Sequence, residues 1–199
     1  MKIYFKFLTA VAFAALIAAP AVASDSYSTV NKSIKISDNV TIGEVDSVNG
    51  SIRIGSNSFV ESIDSVNGSI KLGNDVAVDK GVDAVNGAIT LQSGCAVGGD
   101  VETVNGGIRM ENTRVAGNVE TVNGQLRILQ GSEVSGNVMV RKPKGWSFNK
   151  QHKPVHVEIG ENVVVHGDLI FESPVELKLH ESARVGEIIG EEVEMVGSS

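Results

Sequence analysis

The hexapeptide Val-Asp-Ser-Val-Asn-Gly at 45–50 returns as Ile-Asp-Ser-Val-Asn-Gly at 63–68, Val-Asp-Ala-Val-Asn-Gly at 82–87, and Val-Glu-Thr-Val-Asn-Gly at both 101–106 and 119–124. A motif that recurs five times at 18 or 19 residues restricts the chain to an architecture in which like units stack on one another. Each copy leads into an apolar-polar-apolar triplet: Ile52-Arg53-Ile54, Ile70-Lys71-Leu72, Ile89-Thr90-Leu91, Ile108-Arg109-Met110 and Leu126-Arg127-Ile128. That alternation has the period of a strand with one buried face. The triplet also appears upstream at Ile34-Lys35-Ile36 and downstream at Val157-Glu158-Ile159 and Leu177-Lys178-Leu179, which extends the stack to about eight windings. At a strand spacing of about 4.8 Å, the stack is a rod on the order of 40 Å long.

A period this short has no room for a full helix and suits a coil of three short strands joined by tight corners. Asn-Gly marks one corner, with glycine expected to supply positive φ and asparagine to tolerate it. In a solenoid Asn49, Asn67, Asn86, Asn105 and Asn123 then stack, with side-chain amides able to hydrogen-bond along the ladder. Independent β-hairpins use the same dipeptide. They seldom keep a period and a motif together, so the expected class is all-β, a parallel β-helix of 18–19 residues per coil.

A second corner reads Val97-Gly98-Gly99-Asp100-Val101, Val115-Ala116-Gly117-Asn118-Val119, Val134-Ser135-Gly136-Asn137-Val138 and Val165-His166-Gly167-Asp168-Leu169. With these corners and the Val-Asn-Gly turns, the chain from about Ile34 to Val185 resembles the bactofilin-type, polymer-forming β-solenoids and the related adhesin repeats of bacterial envelopes. The resemblance implies a right-handed triangular helix in a protein that assembles or adheres. Repeats of this kind encode a backbone path rather than chemistry. Two features depart from bactofilins proper, which are mostly cytoplasmic: this chain has an export signal and an insertion. Left-handed hexapeptide-repeat acyltransferases also wind coils of 18 residues, but their strict six-residue phase is broken here wherever the spacing becomes 19.

Residues 1–23 place Lys2 and Lys6 before an apolar run that ends at Ala21-Val22-Ala23, the pattern of a cleaved secretory signal. The expected destination is the periplasm, the cell surface or the medium, with residues 24–199 as a single solenoid domain and no transmembrane segment after cleavage. A lipoprotein needs a cysteine directly after the cleavage point, and the only cysteine is Cys95, which reads as a small core residue. Loss of Lys2 and Lys6 takes the formal net charge from −7 to −9, a balance that argues against nucleic acid as partner.

The outward positions carry an acidic row before the Asn-Gly corner, Asp46, Asp64, Asp83, Glu102 and Glu120, and a mainly basic row after it, Arg53, Lys71, Thr90, Arg109 and Arg127. Stacked like charges repel unless an opposite row, an ion or a partner compensates them. Calcium repeats gather their ligands in one tight loop, which this acidic row does not, so no metal site is assigned. His152, His156, His166 and His180 lack a Gly-x-Ser-x-Gly elbow or a His-Glu-x-x-His pair around them, although His156 and His166 could meet across coils. No catalytic residue and no cofactor motif is assigned.

Residues 141–154 break the repeat. The next third-strand triplet comes 31 positions after Leu126, so about a dozen residues are inserted into a coil. The insertion joins Arg141, Lys142, Lys144, Lys150 and Lys153 to Trp146 and Phe148 without a carboxylate, a composition suited to an anionic glycan, a lipid headgroup or an acidic protein. The rod ends are the other candidate contact: Lys32 and Lys35 stand near one end and Glu187, Glu191, Glu192 and Glu194 near the other, an arrangement suited to end-to-end self-association. The expected function is therefore a structural or adhesion-type protein. The alternatives are a monomeric binding module for an anionic envelope polymer, lipid headgroup or metal ion, and a left-handed β-helix acyltransferase.

Overall fold

A computed structural model describes residues 25–143, 153–190 and 192–197. The signal segment, Lys144, Trp146, Phe148, Lys150, His152 and Glu191 lie outside the described residues. Among the described residues there are 23 strands and no helix, and the strands wind as a parallel β-solenoid of about eight turns. No helix among them is long and apolar enough to cross a membrane.

Each winding contributes to three ladders. The first runs through Ala77–Val78, Ala96–Val97, Arg114–Val115, Glu133–Val134 and Val164–Val165. The second runs through Val82–Asn86, Val101–Thr103, Val119–Thr121, Val138–Val140 and Leu169–Phe171 to Ile188–Gly190. The third holds every triplet seen in the sequence, from Ile34–Lys35 through Ile52–Ile54 and Ile70–Leu72 to Val175–Leu179 and Val193–Met195. Near the amino-terminal end the long strands Thr41–Asn49 and Phe59–Asn67 pass through both the first and second ladders, which joins them into one 14-stranded sheet beside the 9-stranded third.

Inward positions stack by kind. Val45, Ile63, Val82, Val101, Val119, Val138 and Leu169 line one column of the core, and Ile52, Ile70, Ile89, Ile108, Leu126, Val157 and Leu177 line another. Each such side chain removed from water contributes roughly 1.5–3 kcal/mol, and β-branched residues fit the pleated surface. Cys95 belongs to this core at 1 % exposure, where burial pushes its thiol pKa up and keeps it protonated.

The change between 18 and 19 residues per winding is absorbed at corners. Val60 and Ile63 pair with Val78 and Val82, so the corner between the first two ladders grows by one residue while the strands keep their register. A one-residue slip within a strand would have turned its core side chains outward.

The Asn-Gly corner works differently from the expectation. None of Gly50, Gly68, Gly87, Gly106 and Gly124 has positive φ. Glycine is needed there for space, because a Cβ on Gly68, Gly87, Gly106 or Gly124 would run into the carbonyl oxygen of the glycine one winding below. Left-handed backbone occurs instead at the corner before the first ladder, at Asn39, Asn57, Asp75, Asn112 and Asn162, with φ from 46° to 60°. Asparagine and aspartate tolerate that region better than other side chains.

Gly87→Ala forces the stacked corner apart, and overpacking of this kind costs about 1–3 kcal/mol. The expected result is a lower urea midpoint at unchanged slope, read by circular dichroism.

Candidate functional site

The backbone spacing that stacks the core also stacks the outside. In the second ladder Asp46, Asp64, Asp83, Glu102 and Glu120 are direct lateral neighbours, and the line continues to Met139. Two residues further along each strand, on the same outward side, stand Val48, Val66, Val85, Val104 and Val122. The first four are exposed at 40–43 %, which makes the column an apolar stripe in water rather than part of the core. A shallow groove of about 270 Å³ follows this face, lined by Asp64, Val66, Asp83, Val85, Glu102 and Val104 among others.

Arg141, two residues after Met139, stands where the next valine would be and closes the groove. Its Nε and Nη2 donate to the two carboxylate oxygens of Glu120 at 2.9 and 3.2 Å, and its Nη1 donates to Glu172 Oε1 at 3.3 Å. The Lys142 N–H donates to Glu172 Oε2 at 3.0 Å, and this bond, together with Arg141, holds the Glu172 carboxyl below its usual range. The basic residues at the amino-terminal root of the insertion are thus drawn to the rod's own acids. At the other root, Lys153, Pro154 and His156 line a second open cleft with Asn123 and Gln125.

Asp46, Asp64, Asp83 and Glu102 have no cation within ion-pair distance among the described residues. Partial burial, then the neighbouring Asp64 and Asp100 carboxylates, push Asp83 up to about 6. Asp64 is raised by partial burial and by Asp46 and Glu44, and Glu102 by partial burial and by Glu120, Asp83 and Asp100 despite Arg141. Lys80, at the neighbouring corner, spends its charge on Glu61 at 2.8 Å and Glu44 at 3.8 Å.

The third ladder carries the opposite sign. Lys35, Arg53, Lys71, Thr90, Arg109 and Arg127 are lateral neighbours in that order. Arg109 pairs with Glu111 at 3.2 Å and Arg127 with Glu158 at 2.8 Å, whereas Lys35, Arg53 and Lys71 are in no ion pair among the described residues. Burial acts to raise Glu158, but Arg127 and Lys178 outweigh it and hold its carboxyl below the usual range.

The corner between these two faces carries the asparagine ladder. Each Nδ2 donates to the Oδ1 one winding below: Asn67 to Asn49 at 2.9 Å, Asn86 to Asn67 at 2.9 Å, Asn105 to Asn86 at 2.8 Å and Asn123 to Asn105 at 3.0 Å. Asn49 continues it to Asn31 at 3.0 Å. Beneath the corner, Ser65, Thr103 and Thr121 donate to the carbonyls of Gly68, Gly87 and Gly106. A second ladder, unforeseen from the sequence, joins the first two faces: Asp100 Oδ1 accepts from the Asn118 N–H, Asn118 from Asn137, Asn137 from Asp168 and Asp168 from Glu187, at 2.6–2.9 Å.

The histidines do not converge. His156 pairs with Glu176 at 2.7 Å on the third face and His166 with Glu133 at 2.8 Å on the first. His180 Nδ1 lies 2.8 Å from Ser182 Oγ. Among the described residues no group of three or more His, Cys, Asp or Glu side chains is disposed to hold a metal ion.

A carboxyl whose pKa rises on folding removes stability as pH climbs from its unfolded value near 4 through its folded value, here about 6. Lowering pH from 7 to 5 should therefore raise the urea midpoint. Asp83→Asn should stabilise the rod at pH 7 by about 1 kcal/mol after allowance for solvent screening, and flatten that rise. Glu158 and Glu172, held low, act oppositely, and their contribution is lost only as pH falls below about 4.5. Urea titrations of both proteins at pH 5, 6 and 7 check this.

No family model, curated protein or solved structure matches the chain, and the fold together with these columns is what any functional reading stands on.

Proposed function

We propose that this chain is an exported structural or adhesion-type β-solenoid of the bacterial envelope that self-associates. The observation that carries the reading is the state of the rod's two ends. Among the described residues, the outer edges of Tyr27–Thr29 and Ile34–Lys35 at one end, and of Ile188–Gly190 and Val193–Met195 at the other, pair with no further strand. Unpaired parallel edges are templates for another strand, and a flush solenoid end offers all its ladders at once.

Exposed apolar side chains accompany these edges: Tyr27 and Val30 at one end, Ile188, Ile189 and Met195 at the other. Lys32 and Lys35 sit in the first winding and Glu187, Glu192 and Glu194 in the last, so a second copy stacked head to tail meets opposite charge. Such a contact joins two different surfaces, and it propagates as an open filament unless the rotation closes it. The bactofilin resemblance and the export signal agree with this reading, and the absence of a motif for chemistry leaves the repeat as a scaffold. A binding module acting through the insertion relies on Arg141, Lys142, Lys144, Trp146, Phe148, Lys150 and Lys153. Arg141 is committed to Glu120 and Glu172, which favours the scaffold reading.

The test is sedimentation of the secreted form from Ser24 onward at low and high salt, with negative-stain imaging of each sample. Rods longer than one molecule at low salt, shortened by salt, are expected. Ile188→Lys with Met195→Lys should abolish them without unfolding the chain, whereas a monomer at every concentration would overturn the proposal.

A further inference from the structure

The two unpaired charge columns lie on adjacent faces of one rod, and both repeat at the strand spacing. Asp46, Asp64 and Asp83 ascend the second face, and Lys35, Arg53 and Lys71 ascend the third, none of them in an ion pair among the described residues. Within one molecule the faces point away from each other across the asparagine corner, so the columns cannot neutralise one another. We infer that they neutralise each other between molecules: the second face of one copy lies along the third face of another, side by side and with rod axes parallel. The inference rests on the self-association proposed above and adds a lateral contact to the end contact.

The order of the columns selects the orientation. Along the chain the second face presents acid and then valine, as in Asp64 and Val66, before the corner. After the corner the third face presents a small residue and then a base: Ser33 and Lys35, Ser51 and Arg53, Ser69 and Lys71. Two rods with parallel axes wind in the same sense, so at a shared face their chains run past each other in opposite directions. Acid then meets base while valine meets the small residue, and a stagger of one winding sets Asp46, Asp64 and Asp83 against Lys35, Arg53 and Lys71. Antiparallel rods would set valine against base and acid against serine.

The apolar stripe fits the same occupant. Val48, Val66 and Val85 project beside the acids, and the exposed Ser33, Ser51 and Ser69 leave a shallow channel beside the bases. Covering the valines removes apolar surface from water, and the matched charges fix the register. The contact uses a different face on each partner, so every copy retains one free face of each kind and the array can widen.

The test uses two charge-reversed proteins, Asp64→Lys with Asp83→Lys, and Arg53→Asp with Lys71→Asp, compared with the unaltered chain by sedimentation velocity and imaging at low salt. The unaltered chain should associate laterally and separate as salt shortens the screening distance. Each reversed protein alone should lose lateral association at least about tenfold, and the equal mixture should regain it, because the reversed columns complement each other. Unchanged lateral bundles in each variant alone would overturn the lateral contact while leaving end-to-end assembly standing. End-to-end filaments without bundles in the unaltered chain would do the same, and a monomeric unaltered chain would overturn both readings. Circular dichroism monitors folding. If a reversal disturbs it, the neutral pairs Asp64→Asn with Asp83→Asn and Arg53→Gln with Lys71→Gln should each weaken bundling and their mixture should not restore it; undiminished bundling there would overturn the inference.

Discussion

Every winding of this protein is held to the next by backbone hydrogen bonds across parallel strands, and that bond imposes one repeat distance on everything attached to the backbone. Inside, it stacks isoleucine on isoleucine and valine on valine into a continuous core. At the corners it stacks glycine on glycine so closely that no side chain fits between the windings. Outside, it stacks like charge on like charge, which is the one place where the repeat works against stability.

The corners show how such a path is specified by small residues with separate tasks. Glycine in Asn-Gly admits the neighbouring carbonyl, and the asparagine before it ties its amide to the winding below. Asp100, Asn118, Asn137 and Asp168 satisfy backbone N–H groups that a corner would otherwise leave without a strand partner. The left-handed turn falls to Asn39, Asn57, Asp75, Asn112 and Asn162, whose side chains make that backbone tolerable. Three corners thus use related amino acids for steric, hydrogen-bonding and conformational reasons in turn.

Electrostatics divides the molecule along its length. In the carboxy-terminal half, cations and acids meet within the chain: Arg141 with Glu120 and Glu172, and Arg127 and Lys178 with Glu158. In the amino-terminal half the acid and base columns sit on different faces and stay unpaired. The raised pKa of Asp83 is the local sign of that repulsion. A surface of this kind is better suited to an array than to isolation, since a neighbour can bring opposite charge to each column.

The sequence by itself determined the solenoid, its windings and the identity of each column, because a motif at constant period and a strand alternation of two leave a single stacking solution. Even the valine stripe was implicit there: a residue two positions after an outward acid must also face outward. Tertiary structure alone decided the rest. Why glycine is required at Asn-Gly depends on a carbonyl one winding away, 18 or 19 residues distant in sequence. Which cations are spent and which remain depends on side chains brought together from separate windings, as when Arg141 reaches Glu120, 21 positions back, and Glu172, 31 positions on. A repeat encodes its own neighbours, whereas charge balance at a surface is a property of the assembled windings.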